Sequence, residues 1–302
     1  MPSPGRHHGG VTLSRRDVQE MIAANDLRPS RALGQNFVAD PNTVRRVARL
    51  AEIEPGQRVV EIGAGLGALT LALVEAGAKV TAVEIDRHLL PLLRAQVQDS
   101  GVRVVHDDAL TLDWTALLEG EGAPFVEGEV GAETDLPWVL VANLPYNVAV
   151  PVIVRVLDEA PMVASMLVMV QREVGERLAA SPGTKAYGAV SVKVAYHATA
   201  RVVGRVPPAV FVPRPRVESV LVRIVRRGVV AVDPAVAPAD RLFTVVRAGF
   251  AHRRKMLRRA LAGVVDPAVF SAAGVDPEAR AEELTVEQWG RLVACDAVHG
   301  DR

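Results

Sequence analysis

The sequence predicts an α/β protein with an open, mostly parallel sheet, followed by a small helical domain. Three observations carry this. Short apolar runs end in chemically useful residues: Arg58–Ile62 runs into Gly63, Ala78–Glu84 ends in Glu84, Val102–His106 meets Asp107-Asp108, and Val139–Ala142 meets Asn143. Strands buried on both faces read as continuous apolar runs, and ligands of such sheets bind at the strands' C-terminal ends. Second, a Gly-rich turn, Gly63-Ala-Gly65-Leu-Gly67, follows the first of these strands. Third, beyond Arg226-Arg227 the composition shifts to helix formers. The division expected is 1–11 disordered, 12–227 an α/β catalytic domain and 228–302 a helical domain.

The 302 residues suffice for one large domain and one small one. Hydrophobic residues make up 49% and charged residues 23%, as in an ordinary globular protein. A single cysteine, Cys295, excludes a disulfide framework and a cysteine zinc site, and fits a reducing cytoplasm. No metal is expected. The apolar stretch from Val139 to Val154 is broken by Asn143, Pro145 and Pro151, so no membrane span is expected, and no apolar signal region is seen near the N-terminus. A formal net charge of +0 hides a bipolar chain. No Lys or Arg occurs between Arg103 and Arg155, whereas no acid occurs between Arg241 and Arg259. The second block, with Arg253, Arg254, Lys255 and Arg258, can track phosphates or can be a solvated helix face.

Along the chain, Ser14 and Asp17 form the signature of a helix start, and Asp40-Pro41 supplies an N-cap and a proline at N1 for a helix whose apolar face is Val44, Val47, Ala48 and Ala51. Arg28–Phe37 breaks the chain between them. The glycines at 63, 65 and 67 let a ligand approach the backbone. Their spacing fits a dinucleotide fingerprint through Ala68 or a nucleoside-binding methyltransferase loop through Gly67. Glu84 stands where an acid on a ribose diol is expected. Asp108 can accept an adenine amino group or cap a helix. The Gly- and Glu-rich stretch 119–137 reads as a solvated loop. A helix from Asn147 to about Asp158, a strand Ser165–Gln171, a helix Arg172–Ala180, a strand Tyr187–Tyr196 and an antiparallel strand Val217–Val225 follow. Prolines 207, 208, 213 and 215 make a rigid loop around Phe211. That ring is presented to a ligand or pinned in the core. Thr285 and Gln288 form the capping box of a last helix.

Asn143-Leu144-Pro145-Tyr146 is the most informative turn. Pro145 stiffens it and pushes Leu144 towards extended backbone. One side-chain amide oxygen and one main-chain carbonyl can then stand side by side, next to an aromatic ring. Those groups suit an adenine extruded from its stack, whose amino nitrogen is a poor nucleophile until two acceptors on its N–H bonds localise the lone pair.

With these residues in view, the chain resembles the ribosomal RNA small subunit adenine dimethyltransferase family. Gly34-Gln-Asn36-Phe37, Glu61-x-Gly63-x-Gly65-x-Gly67, Glu84-x-Asp86, Asp108-Ala109, Asn143-Leu-Pro-Tyr146-Asn147, Val206-Pro-Pro-x-x-Phe211-x-Pro213-x-Pro215-x-Val217-x-Ser219 and Arg253-Arg-Lys255-x-Leu-Arg258 appear in the family's order. The resemblance spans nearly all of 28–290. It implies a class I, Rossmann-like methyltransferase fold of seven mostly parallel strands with a helical C-terminal domain that binds RNA. It implies S-adenosylmethionine as methyl donor, held by Asn36, Val38, Gly63, Gly65, Glu84, Asp108 and Asn143. Val38 stands where the family usually has Leu. The target adenine would be held by Asn143, Leu144, Pro145, Tyr146 and Phe211, and the basic block would meet RNA. The implied partner is 16S rRNA of the small subunit, with a monomeric cytoplasmic enzyme and a role in subunit biogenesis. Dimethylation of 23S rRNA, as in macrolide resistance, and an assembly factor with secondary catalysis are the alternatives.

Overall fold

The structure, a computed structural model, describes residues 12–30, 33–119 and 136–300. The expectations for 1–11 and for most of 119–137 lie outside those residues. Among the described residues there are nine strands: β1 Phe37–Val38, β2 Arg58–Ile62, β3 Lys79–Glu84, β4 Arg103–His106, β5 Trp138–Asn143, β6 Val163–Gln171, β7 Ala198–Val206, β8 Phe211–Val212 and β9 Ser219–Arg226. Seven of them form one sheet in the order β4-β3-β2-β5-β6-β9-β7. The pairs β2–β3, β3–β4, β2–β5 and β5–β6 are parallel, which confirms the α/β class and the mostly parallel sheet. The chain runs outward from β2 through β3 to β4, then returns to the other side of β2 with β5. The order reverses between β2 and β5, and a crevice opens at such a reversal. In register, Ile62 pairs Ala142, so Gly63 leaves the sheet beside Asn143.

Local chemistry explains the elements around that crevice. Ser14 and Asp17 make a reciprocal capping box on the helix Arg15–Ala24. Asp40 caps the helix Pro41–Leu50 by accepting from the Thr43 amide, and Val44, Val47, Ala48 and Ala51 are buried as expected. Glycines 63, 65 and 67 all have positive φ (72°, 59° and 87°), which favours residues without a Cβ.

The chain divides into two compact units, one of 1–172 and 203–223, the other of 173–202 and 224–302. The sequence division at 227 therefore differs from the packing: Tyr187, Val192 and Tyr196 belong to the same buried cluster as Leu242, Phe243 and Trp289. This packing also corrects the expected strand Tyr187–Tyr196, which is the helix Ala189–His197. The valines at 190, 192 and 194 alternate with Ser191 and Lys193, as in a strand. Ser191 nevertheless starts a helix: its hydroxyl accepts from the Gly188 amide and donates to the Arg177 carbonyl. Gly249, in the helix Ala239–Ala251, lies against the Trp289 ring, where an added Cβ would stand 2.6 Å from the indole. The strand β7 and the two-residue pair β1–β8 are not among the elements the sequence predicts.

Candidate active site

The crevice is floored by the Gly63–Gly67 turn and walled by the ends of β3, β4 and β5. Glu84 is buried, and its two carboxylate oxygens accept from the Gly65 amide at 2.7 Å and the Asp86 amide at 2.8 Å. Burial raises its pKa, and the two amides oppose that rise. Gln35 donates to the Asp86 carboxylate at 2.7 Å and accepts from the Ser30 amide, which ties the segment before β1 to the end of β3.

Two clefts meet at Gly63. One is mainly apolar and open to solvent, with Val83, Ile85, Ala109, Pro145 and Val152 on its walls and Asp108 at its edge. Asp108 also accepts from the Leu110 amide, so its side chain caps the turn it starts. The other cleft is lined by Val18, Phe37, Val38, Glu61, Gly65 and Asn143. Glu61 is buried and accepts from the Thr70 hydroxyl at 2.6 Å. Burial pushes its pKa up to about 8; the Thr70 hydroxyl opposes this and nearby Glu84 adds to it.

This proton has a thermodynamic signature. In the unfolded chain Glu61 ionises near 4.5, whereas in the folded protein it keeps its proton to about 8. Between these values the folded state binds more protons, so stability falls as pH rises through that window. Below the window both states are protonated and the full stability is present. Glu61→Gln keeps an acceptor for Thr70 and is expected to flatten the fall. Melting temperatures of both proteins across the window check this, and parallel curves would refute it.

Asn143 closes the crevice at the end of β5. Its amide nitrogen donates to the Asn36 carbonyl at 3.0 Å, so the amide oxygen is the end left to accept. The Leu144 amide donates to the Met169 carbonyl at 3.1 Å, and the Leu144 side chain is buried. Among the described residues the Leu144 carbonyl accepts no hydrogen bond. Gly34 (φ 62°) packs on Pro145, where an added Cβ would meet the proline Cβ at 2.9 Å. Half-buried Tyr146 shares a hydrogen bond of 3.2 Å with the Ser219 hydroxyl, and burial raises its pKa. Ser219 itself is buried and positions the ring. Sequence reasoning assigns no role to Ser219 or Gln35. Their one signal is membership of the quoted motifs, because the partners lie 73 and 51 positions away.

Phe211 is placed differently from one of the two readings. It lies in β8, pairs Val38, and is 1% exposed within the core that holds Phe37 and Val38. The prolines pin this ring in the core and do not display it, so it offers no open face beside Tyr146. Val38 is likewise buried.

In the second unit the basic block is not carried on one helix, as expected from the sequence. Arg253, Arg254 and Lys255 precede a one-turn helix, Leu257–Ala260. Arg253 donates to the Lys185 carbonyl and pairs with Glu282, and Arg258 pairs with Glu278. Arg254, Lys255 and Arg259 are exposed and, among the described residues, carry no ion pair. No group of residues suited to a metal ion occurs among the described residues, and no described helix is long and apolar enough to cross a membrane.

The family described as ribosomal RNA adenine dimethylase matches residues 27–296. The chain is 46% identical over 287 residues to the ribosomal RNA small subunit methyltransferase A of Kineococcus radiotolerans, covering 93% of this chain and 91% of that one. It is 46% identical over 302 residues to the protein of the same name from Cutibacterium acnes, covering 95% of each. Among solved structures, the 23S rRNA methyltransferase ErmE matches with TM-score 0.64 and 25% identity over 87% of this chain and 100% of that one. A dimethyladenosine transferase from Plasmodium falciparum matches with TM-score 0.69 at 20% identity, over 87% and 98%, which speaks to fold alone. The chain is a methyltransferase of class I fold and belongs to the ribosomal RNA adenine dimethylase family.

Proposed function

We propose that the protein dimethylates N6 of two adjacent adenines in a loop near the 3′ end of 16S rRNA, in the small ribosomal subunit, with S-adenosylmethionine as donor. The observation that carries the reading is the locked Asn143 amide. With its nitrogen engaged by Asn36, its oxygen and the Leu144 carbonyl form an acceptor pair at the crevice. An amino group of adenine brings two N–H bonds to such a pair, and both acceptors favour a localised lone pair on nitrogen.

The chain's residues fit the donor. An apolar cleft with Asp108 at its edge suits a planar base with an amino group. Glu84 suits the ribose diol, and the backbone at Gly63 and Gly65 leaves room beside it. The cleft bearing Val38, Glu61 and Asn143 suits an amino-acid tail. Asn36 contributes through its carbonyl, which fixes Asn143, while its own amide donates to the Gly34 carbonyl. S-adenosylmethionine supplies an electrophilic methyl carbon on a sulfonium sulfur. Asn143 and Leu144 orient the attacking nitrogen, Tyr146 stacks on the base, and Pro145 keeps the turn stiff. Positioning is the main contribution, and no base is needed before transfer, because the proton can leave afterwards. Arg254, Lys255 and Arg259 are the free cations of the basic block that serve RNA in this reading, while Arg253 and Arg258 brace the turn that presents them.

The test uses labelled donor with undermethylated small subunits and, separately, large-subunit RNA, followed by digestion to nucleosides. Label in dimethyladenosine from small-subunit RNA near its 3′ end is expected. Label confined to large-subunit RNA would favour the second reading, which the match to the 23S rRNA enzyme keeps in view.

A further inference from the structure

The segment Pro213–Glu218 lies between two anchors at the crevice. At its start, Val212 and Phe211 pair Phe37 and Val38, and the Ala39 amide donates to the Val210 carbonyl at 2.8 Å. At its end, the Ser219 hydroxyl meets the Tyr146 hydroxyl. One end is thus fixed to the strand that follows Asn36, and the other to the ring beside the acceptor pair. Prolines 213 and 215 stiffen what lies between. Arg214 and Arg216 alternate with those prolines, and both are exposed. Among the described residues neither has an ion-pair or hydrogen-bond partner. The acid within the segment, Glu218, is engaged by Arg172 at 3.3 Å, and the Arg172 amide donates to the Glu218 carbonyl. The segment therefore carries two uncompensated positive charges on a rigid support. Arg216 is three residues from Ser219, so its Cα lies within about 10 Å of the Ser219 Cα.

A solvated surface loop accounts for one exposed arginine without further function. It does not account for a stiff segment fastened at both ends to the reacting groups, with its acid engaged elsewhere. We propose that Arg214 and Arg216 form a phosphate-binding site that grips the RNA backbone next to the extruded adenine. The ligand class is an RNA phosphodiester, which a guanidinium recognises through paired N–H donors. The site is separate in the chain from the basic block at 253–259. Its role is to fix the strand from which the base is drawn, so that Tyr146 and Asn143 meet the base and not a sliding backbone. The inference rests on the proposed RNA substrate.

The experiment compares Arg214→Gln, Arg216→Gln and the double variant with the unaltered enzyme. Arg16→Gln serves as control, since Arg16 is exposed and, among the described residues, pairs only with its helix neighbour Glu20. Three quantities are read: donor affinity by calorimetry, KM and kcat for undermethylated small subunits, and RNA affinity against salt. Donor affinity is expected to be unchanged, which also reports folding. KM should rise about tenfold per arginine, and the slope of log affinity on log salt should fall by about 0.7 for each phosphate no longer neutralised. Unchanged KM and salt slope in the double variant, with full activity of the unaltered enzyme, would overturn the phosphate site alone. An inactive unaltered enzyme on small subunits would instead overturn the substrate reading. A donor affinity that fell in parallel with the rise in KM would assign the arginines to the fold and also refute the site.

Discussion

Asn143→Ala is expected to lose turnover by on the order of 10²–10³-fold while retaining part of the donor affinity, because one of two fixed acceptors for the developing positive charge is gone. The loss should appear in kcat under single-turnover conditions with saturating RNA. Asn143→Asp is the sharper variant. Its carboxylate would face the Asn36 carbonyl, 3.0 Å from the present nitrogen, with no proton between two acceptors. The charged form is repelled, whereas the neutral form gives its proton to that carbonyl and keeps its other oxygen as an acceptor, so Asp is expected to fall between Ala and Asn, with turnover rising as pH falls. Turnover near the unaltered level in Asn143→Ala would remove the acceptor pair from the mechanism.

Glu84→Ala is expected to weaken donor binding by on the order of 10²–10⁴-fold, if two charge-assisted hydrogen bonds of about 1.5–3 kcal/mol each are lost. The same change leaves the Gly65 and Asp86 amides without their acceptor in a buried place, so the glycine turn loosens and stability falls too. Calorimetry with the demethylated donor, S-adenosylhomocysteine, checks affinity, and a melting curve checks the fold. Glu84→Gln separates the effects, since its single amide oxygen can hold one backbone amide but not both. Donor affinity unchanged in Glu84→Ala would show that the carboxylate serves the turn alone.

Residues at the ends of parallel strands are legible in the sequence because a strand buried on both faces is an uninterrupted apolar run, and the first polar residue after it marks the sheet edge. Glu84 and Asn143 stand out for that reason, and Asp40-Pro41 announces its helix through local hydrogen bonding. What is not legible depends on distant partners. The alternation through Val190, Val192 and Val194 fits a strand as well as a helix until the cluster around Leu242 and Trp289 is known. The proline-rich sequence around Phe211 fits display and burial alike, and the two-residue pairing with Val38 decides for burial. Arg253 and Arg258 look equivalent to Arg254 and Lys255 in the sequence, but Glu282 and Glu278 engage them. Spacing shows which residue types are present, not which charges remain free.

The Asn36 contact also bears on how two methyl groups arrive at one nitrogen. An amide whose nitrogen is engaged cannot turn round to offer a donor. An unmodified amino group brings two hydrogens to two fixed acceptors; after one transfer it brings one. The half-finished product is held by one hydrogen bond fewer, so its escape competes with the second transfer. On the proposed chemistry, singly modified adenines are expected to appear ahead of doubly modified ones when enzyme is scarce.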